Sequence, residues 1–164
     1  MAEGALGDLG PCVLDYKGSE LGRTFGGVIF RSTPEDVEVK EDQVGIDAVD
    51  KIFVGRVVTV EAMLTRMQLA ELSAIMPGST MSSGVAVVKS NVGSKQYANS
   101  GILILKPVVD GVTSVTPGEW ITMPKAFPKE DYEIQYDNEN QRVYKVTFYA
   151  FKDQVTGIHY KMGA

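Results

Sequence analysis

The architecture is most clearly indicated by residues Gly26–Gly78, whose sequence is GGVIFRSTPEDVEVKEDQVGIDAVDKIFVGRVVTVEAMLTRMQLAELSAIMPG. Every second residue from Val58 to Leu64 is apolar, which predicts a strand with one buried face. The apolar segment Val28–Ser32 predicts an earlier strand, which we expect to end at Pro34 because proline cannot donate a ladder hydrogen bond. This stretch therefore predicts two strands, then an acidic loop, and then a long strand over Val49–Leu64.

One lateral helix is predicted over residues 65–76. Thr65 is a candidate N-cap with Gln68 three residues later, which is the capping-box spacing. Leu64 and Leu69 have the spacing of a hydrophobic staple, and Pro77-Gly78 is expected to end the helix. Its apolar stripe consists of Leu69, Leu72, Ile75 and Met76. One buried face on a short helix indicates a packing role.

The remaining segments predict a mainly β domain that spans residues 1–164. We expect two packed antiparallel sheets, arranged as a β-sandwich or barrel, with turns at Gly18-Ser19 and Asp110-Gly111. Residues 1–11 are expected to form an N-terminal arm. Residues 79–100, rich in Ser and Gly and low in charge, predict an extended loop or hairpin for contact between subunits. The further predicted strands are Val13–Lys17, Leu21–Phe25, Val37–Lys40, Ile102–Val109, Val112–Val115, Trp120–Met123, Tyr132–Asp137, Arg142–Lys152 and Ile158–Met162.

Composition excludes several classes of protein. The net charge is −5 and the basic residues are scattered, which argues against a protein that grips DNA through its phosphates. The single cysteine, Cys12, cannot form an internal disulfide. The first ten residues lack the basic and apolar regions of a secretory signal, and no apolar run is long enough to predict a membrane span.

The sequence offers little that could perform catalysis. His159 is the single histidine, and neither a second histidine nor a suitable cysteine stands at metal-ligand spacing. Glycine-rich phosphate-binding spacing is absent, and Gly26-Gly27 more simply predicts a bend or bulge in a strand. We therefore expect no enzyme activity, no cofactor and no metal.

An acidic cluster lies between residues 35 and 50. Three interpretations are open: a solvated surface, a calcium site without EF-hand spacing, or a surface that faces a nucleic-acid path and repels it. The alternation of Val37 and Val39 with Asp36, Glu38 and Lys40 places the two sets on opposite faces of a strand. Only part of the cluster can therefore line one surface.

With the later sequence GEWITMPKAFPKEDYEIQYDNENQRVYKVTFYAFKD, residues Gly26–Asp153 resemble the tail tube proteins of tailed bacteriophages. The resemblance consists of strand order, helix position and the late pair of strands around an Asn-rich turn. It implies a structural subunit that forms homohexameric rings, which stack into a tube around a lumen that conducts DNA during ejection. The related tubes of type VI secretion and contractile injection systems share this fold and are an alternative.

The resemblance also implies roles for residues and partners. The candidate lumen-facing acidic residues are Glu35, Asp36, Glu38, Glu41 and Asp42. The candidate ring-stacking contacts are Val85, Val87, Val88 and Tyr97. The implied partners are further copies of the chain, a tape-measure protein and passing DNA in the lumen, and a sheath protein if the tail is contractile, with no membrane. The implied location is the virion tail, after assembly in the host cytoplasm.

A second class of function is a monomeric β-sandwich module that binds carbohydrate or a small ligand. A line of exposed aromatic residues would favour it, but Trp120 is the single tryptophan and lies beside a predicted turn. Clustered aromatic residues near the C-terminus are better explained as cross-strand packing.

Overall fold

A computed structural model describes residues 10–163, so most of the predicted N-terminal arm, residues 1–11, lies outside the described residues. Within them the chain is mainly β, with one large antiparallel sheet, a small second sheet and a single α-helix. The strands are β1 (Cys12–Tyr16), β2 (Ser19–Glu20), β3 (Arg23–Lys40), β4 (Ala48–Thr65), β5 (Ser79–Ser82), β6 (Val85–Val88), β7 (Gly101–Val109), β8 (Val112–Thr113), β9 (Ile121–Glu130), β10 (Tyr144–Ala150) and β11 (Lys161–Met162). The helix α1 is Leu69–Ile75, and Pro117–Glu119 forms a short 3₁₀ helix.

The large sheet has the strand order β2-β1-β7-β9-β10-β4-β3, with β8 beside β7 and β11 beside β9. Strands β5 and β6 form the second sheet. One face of the large sheet supplies the core, as the period of two predicts for β4. The buried side chains of this core include Leu14, Tyr16, Val58, Val60, Ala62, Leu64, Leu103, Leu105, Met123, Val146 and Phe148.

The large sheet is strongly curled. The rings of Tyr16 on β1 and Phe148 on β10 lie 5.3 Å apart, although β7 and β9 separate these strands in the sheet. The Tyr16 hydroxyl also donates a hydrogen bond to the Ala126 carbonyl at 3.2 Å. Cys12 on β1 and Phe30 on β3 line one cavity of about 290 Å³, so the two ends of the sheet approach each other. The sheet is therefore barrel-like around a single core.

Three tight turns have positive φ at both central residues, which is the type I′ geometry that suits the twist of hairpins. They are Lys17-Gly18, Ser83-Gly84 and Asp110-Gly111. The predicted turn at Asp110-Gly111 is confirmed, and the one predicted at Gly18-Ser19 is displaced by one residue. In each case glycine occupies the second position, where a Cβ would be strained.

The predicted helix start at Thr65 is wrong. Thr65 is the last residue of β4, where it is buried and its hydroxyl donates to the Arg23 carbonyl at 3.2 Å. Gln68 is the N-cap instead, and its backbone N–H donates to the Glu71 carboxylate at 2.8 Å in a capping box. The helix is shorter than predicted, and of the stripe only Ile75 is fully buried, while Leu69 is exposed.

Two strand predictions are also wrong. Strand β3 runs through Pro34, which is tolerated because β3 is the edge of the sheet and one side of its backbone needs no partner. Residues 132–137 alternate in polarity but form no strand. Their place in the sheet is taken by the longer β9, whose Glu130 already pairs with Val146 of β10, so residues 131–143 become the connection.

Phe148→Ala is expected to lower the free energy of unfolding by about 3–5 kcal/mol, because it removes a fully buried ring that contacts Tyr16. Tyr149→Ala, on the outer face of the same strand, is the matched control and should cost less than about 1 kcal/mol. Urea unfolding followed by circular dichroism measures both. Equal losses for the two variants would contradict the assignment of the core face.

Candidate assembly surface

The most prominent feature outside the core is the outer half of the β3–β4 pair. Strand β10 pairs with β4 only from Val58 to Leu64, so among residues 10–163 the segment 33–57 has no strand beside it except its own two halves. We call residues 33–57 the projecting hairpin. Its eight residue pairs, from Thr33↔Val57 to Lys40↔Ala48, extend roughly 25 Å beyond the body at the rise of a β-strand.

The projecting hairpin is amphipathic. The register pairs Val37 with Ile52 on one face, while Glu38 and Lys51 share the other. A bulge at Val54 shifts the alternation of β4, so that Ile52 lies on the same side as Val37 and Val57. Val37, Ile52 and Val57 are 56%, 57% and 49% exposed. With Ile29 at the base, they form an exposed apolar stripe along the outer face, interrupted by Glu35 and Asp50.

The opposite face and the tip carry charge. Residues 33–57 contain seven acidic and three basic residues, a net charge of −4 out of the −5 of the whole chain. Glu38 lies 3.4 Å from the ammonium of Lys40 and 4.0 Å from that of Lys51, so it is partly neutralised. The tip, residues 41–47, carries Glu41, Asp42 and Asp47 beside the apolar Val44 and Ile46. Ile46 is 91% exposed.

The root of the hairpin is held by the C-terminal segment. Arg56 donates from Nη1 to the Ser32 hydroxyl at 3.0 Å and to the Tyr160 hydroxyl at 3.5 Å. The rings of Phe30 and Tyr160 make an edge contact with centroids 5.1 Å apart. These contacts join β3, β4 and the chain end where the hairpin leaves the body.

All five residues predicted to face the lumen lie on the projecting hairpin and are exposed. Asp36 and Glu38 share its charged face, Glu35 lies on the other face, and Glu41 and Asp42 belong to the tip. The expected separation of Val37 and Val39 from Asp36 and Glu38 is confirmed by the register. The structure does not gather the five carboxylates on one surface, and their role in a lumen stays a prediction.

The predicted stacking residues fall into two groups. Val85, Val87 and Val88 lie on β6 and are exposed. Tyr97 is used within its own subunit: its hydroxyl accepts a hydrogen bond from the Gln154 backbone N–H at 2.9 Å, and its ring lies 6.1 Å from that of Phe151. Residues 79–100 thus combine a short hairpin with a loop fixed to the body.

A groove lies beside α1 at the end of β4 that is remote from the projecting hairpin. It has a volume of about 820 Å³ and we call it the end groove. Its lining includes Lys17, Ala70, Met76, Lys89, Val92 and Phe127. Among the described residues its charged lining consists of lysines alone. Both lysines are exposed, and the ammonium of Lys17 donates to the Asn99 carbonyl at 3.0 Å.

Burial shifts the pKa values of Cys12 and His159. Burial raises the pKa of the Cys12 thiol to about 11, so the thiol is protonated at neutral pH. Burial, followed by the charges of Arg56 and Lys152, lowers the pKa of His159.

Over residues 10–163 no three His, Cys, Asp or Glu side chains are grouped to hold a metal, which gives the calcium interpretation of the acidic cluster no support. Within that range, no helix has the length and apolar character that crossing a membrane requires.

Sequence reasoning missed the projecting hairpin as a unit, because the acidic residues suggested a loop. The alternation of Val37 and Val39, followed after Asp47 by a second apolar run, was the signal that could have identified it. It also missed the β5–β6 hairpin, for which the dipeptide Ser83-Gly84 was a usable turn signal.

Arg56→Ala should loosen the root of the projecting hairpin, because it removes two hydrogen bonds from a charged donor. Hydrogen exchange at the backbone amides of residues 34–56 is expected to rise by roughly tenfold, with the core strands unchanged. Arg31→Ala, which removes an exposed pair with Glu61 at 3.7 Å, is the control and should change exchange far less. Equal exchange in Arg56→Ala and the unmodified chain would show that the root is held elsewhere.

Compared with known protein families and with curated proteins, the chain matches no family model and no curated protein.

Proposed function

We propose that this chain is the structural subunit of a phage tail tube, in which hexameric rings stack around a lumen that conducts DNA. The observation that carries the proposal is the projecting hairpin with its exposed apolar stripe. The ring number and the lumen come from the resemblance of Gly26–Asp153 to tail tube proteins, not from the hairpin itself.

An isolated two-stranded ribbon is at best marginally stable in water, and this one exposes Val37, Ile52 and Phe53 to solvent. A long apolar edge is also prone to unwanted association unless a partner covers it. In a monomeric binding module, a hairpin of this kind would stay exposed and promote aggregation. In a subunit that assembles, the same apolar surface becomes buried on contact with the next copy.

The hairpin is also the better candidate for the contact between rings. The loop within residues 79–100 is fixed by Tyr97 to Phe151 and Gln154, whereas residues 33–57 reach beyond the body and their tip, residues 41–47, is exposed. We therefore assign the reaching role to the projecting hairpin. Residues 79–100 then form part of a receiving surface, to which Val85, Val87 and Val88 contribute exposed apolar side chains.

An acidic or neutral wall suits a tube through which DNA must pass without binding. Phosphates bind where lysine and arginine release their counterions, and the projecting hairpin offers mainly carboxylates. Asp36 and Glu38 share the charged face with Lys40, Lys51 and Arg56, so this face is close to neutral, and it is the candidate for the inner side of the assembly. The apolar stripe on the opposite face would then contact neighbouring subunits.

Replacing residues 36–54 with a two-residue Asn-Gly turn should leave a folded subunit that no longer forms tubes. The core is expected to survive because the buried hydrophobic residues lie outside residues 33–57. Circular dichroism and thermal unfolding check the fold, while sedimentation velocity and negative-stain microscopy check assembly. The unmodified chain should give rings or tubes. A chain that stays a monomer of 17.8 kDa at every concentration and salt would contradict the proposed function.

The double variant Asp36→Lys, Glu38→Lys should assemble but retain DNA. Reversing two charges per subunit creates a cationic ring, so linear duplex DNA should sediment with the tubes at ~0.05 M salt and be released as salt rises. Unmodified tubes should leave the DNA in the supernatant. The control Glu133→Lys, Glu139→Lys changes the same charge in the exposed connection 131–143. Equal DNA retention by both variants would place Asp36 and Glu38 on the outer wall.

A further inference from the structure

We infer that the acidic tip of the projecting hairpin, residues 41–47, docks into the end groove of a second copy of this chain. The inference rests on the proposed function, because it names the receiving surface for the hairpin. Three observations support it: the distribution of charge along the chain, the charged side chains that lack an ion-pair partner among the described residues, and the positions of the two surfaces on the subunit.

Charge is segregated along the sequence. Residues 33–57 hold a net charge of −4, whereas residues 72–109 contain three lysines and no acidic residue. The three are Lys89, Lys95 and Lys106. Lys106 is already paired with Asp15, its ammonium lying 2.8 Å from the carboxylate. Lys89 and Lys95 have no carboxylate within 4.0 Å among the described residues, and neither has Lys17.

The tip has the complementary surplus. Glu41, Asp42 and Asp47 have no basic side chain within 4.0 Å among the described residues. The apolar surfaces also match, since the exposed Ile46 and Val44 stand beside these carboxylates. The end groove sets the exposed Ala70 and Val92 and the half-buried Met76 beside Lys17 and Lys89. The groove is open to solvent and has a volume of about 820 Å³, within the range of ligand-binding clefts.

The two surfaces stand at opposite ends of the subunit. Strand β4 begins at Ala48, next to the tip, and ends at Thr65, four residues before the helix that lines the end groove. Its 18 residues span roughly 60 Å. A contact between unlike surfaces at opposite ends repeats from copy to copy along one axis. This is the geometry that stacking requires, whereas a reciprocal two-fold pairing of the same surfaces would stop at two copies.

Disulfide trapping tests the contact directly on the full chain. The double variant Ile46→Cys, Val92→Cys places one thiol on the tip and one in the groove, both on highly exposed positions. Mild oxidation should give a ladder of covalent oligomers on a non-reducing gel. The control Ile46→Cys, Val115→Cys has an equally exposed second thiol beyond the far end of β7 and should give no ladder. Cys12 should not interfere, because burial keeps its thiol protonated.

Charge reversal tests the same contact through equilibrium. Glu41→Lys, Asp42→Lys on the tip, or Lys17→Glu, Lys89→Glu in the groove, should each raise the concentration needed for stacking by about tenfold or more. A chain that carries all four changes should stack again, because the complementary charges are restored. Lys145→Glu, Lys161→Glu is the control for net charge, and thermal unfolding verifies that each variant is folded.

The outcomes separate the inference from the function on which it rests. Stacked tubes that form normally with the reversed groove, or a ladder equally strong in the Val115 control, would overturn the docking site and leave the tube standing. Failure of the fourfold variant to stack while each pair remains folded would overturn it as well. An unmodified chain that never assembles would overturn both.

Discussion

The pairing of β3 with β4 is the constraint on which the rest of the structure depends. From Val58 to Thr65, β4 lies in the large sheet and its alternate side chains are fully buried in the core. Before Val58, the same strand pairs with β3 alone and leaves the body. A slip of one residue would turn the core face outward and would also exchange the faces of the projecting hairpin. The register of β3 against β4 therefore determines both which side chains form the core and which side chains the projecting hairpin exposes on each face.

The bulge at Val54 places the apolar stripe of the projecting hairpin on the face opposite to the core face of β4. Without it, Ile52 would share a side with Val58, and the apolar residues of β4 would continue along the face that looks toward the core. With it, Ile52 joins Val37 and Val57 on the outer face, and the inner continuation carries Glu38 and Lys51 instead. A single extra residue thus converts a core strand into a ribbon whose apolar side is available to a neighbour.

Sequence reasoning recovered the parts of this fold that depend on local pattern. The burial of Val60 and Leu64 and the turn at Asp110-Gly111 follow directly from alternation and turn chemistry. The predictions were wrong where a strand depends on its neighbours in the sheet. Strand β3 continues through Pro34 because it is an edge strand. Residues 132–137 alternate in polarity but form no strand, because no neighbouring strand pairs with them. The acidic cluster is evident in the sequence. Its position on a projecting hairpin depends on the lengths of β3 and β4, which local sequence patterns do not predict.

The edge formed by β3 shows how such a chain can avoid indiscriminate aggregation. Eighteen residues of open edge would accept any extended partner, yet β3 is interrupted twice. Gly26-Gly27, both with positive φ, break the register between Thr24 and Val28, and Pro34 removes a donor ten residues after Thr24. Between these interruptions only a short segment can extend the sheet sideways. Beyond Pro34 the open edge is limited to Glu35–Lys40, where charge and the apolar stripe restrict which surface the hairpin can bind.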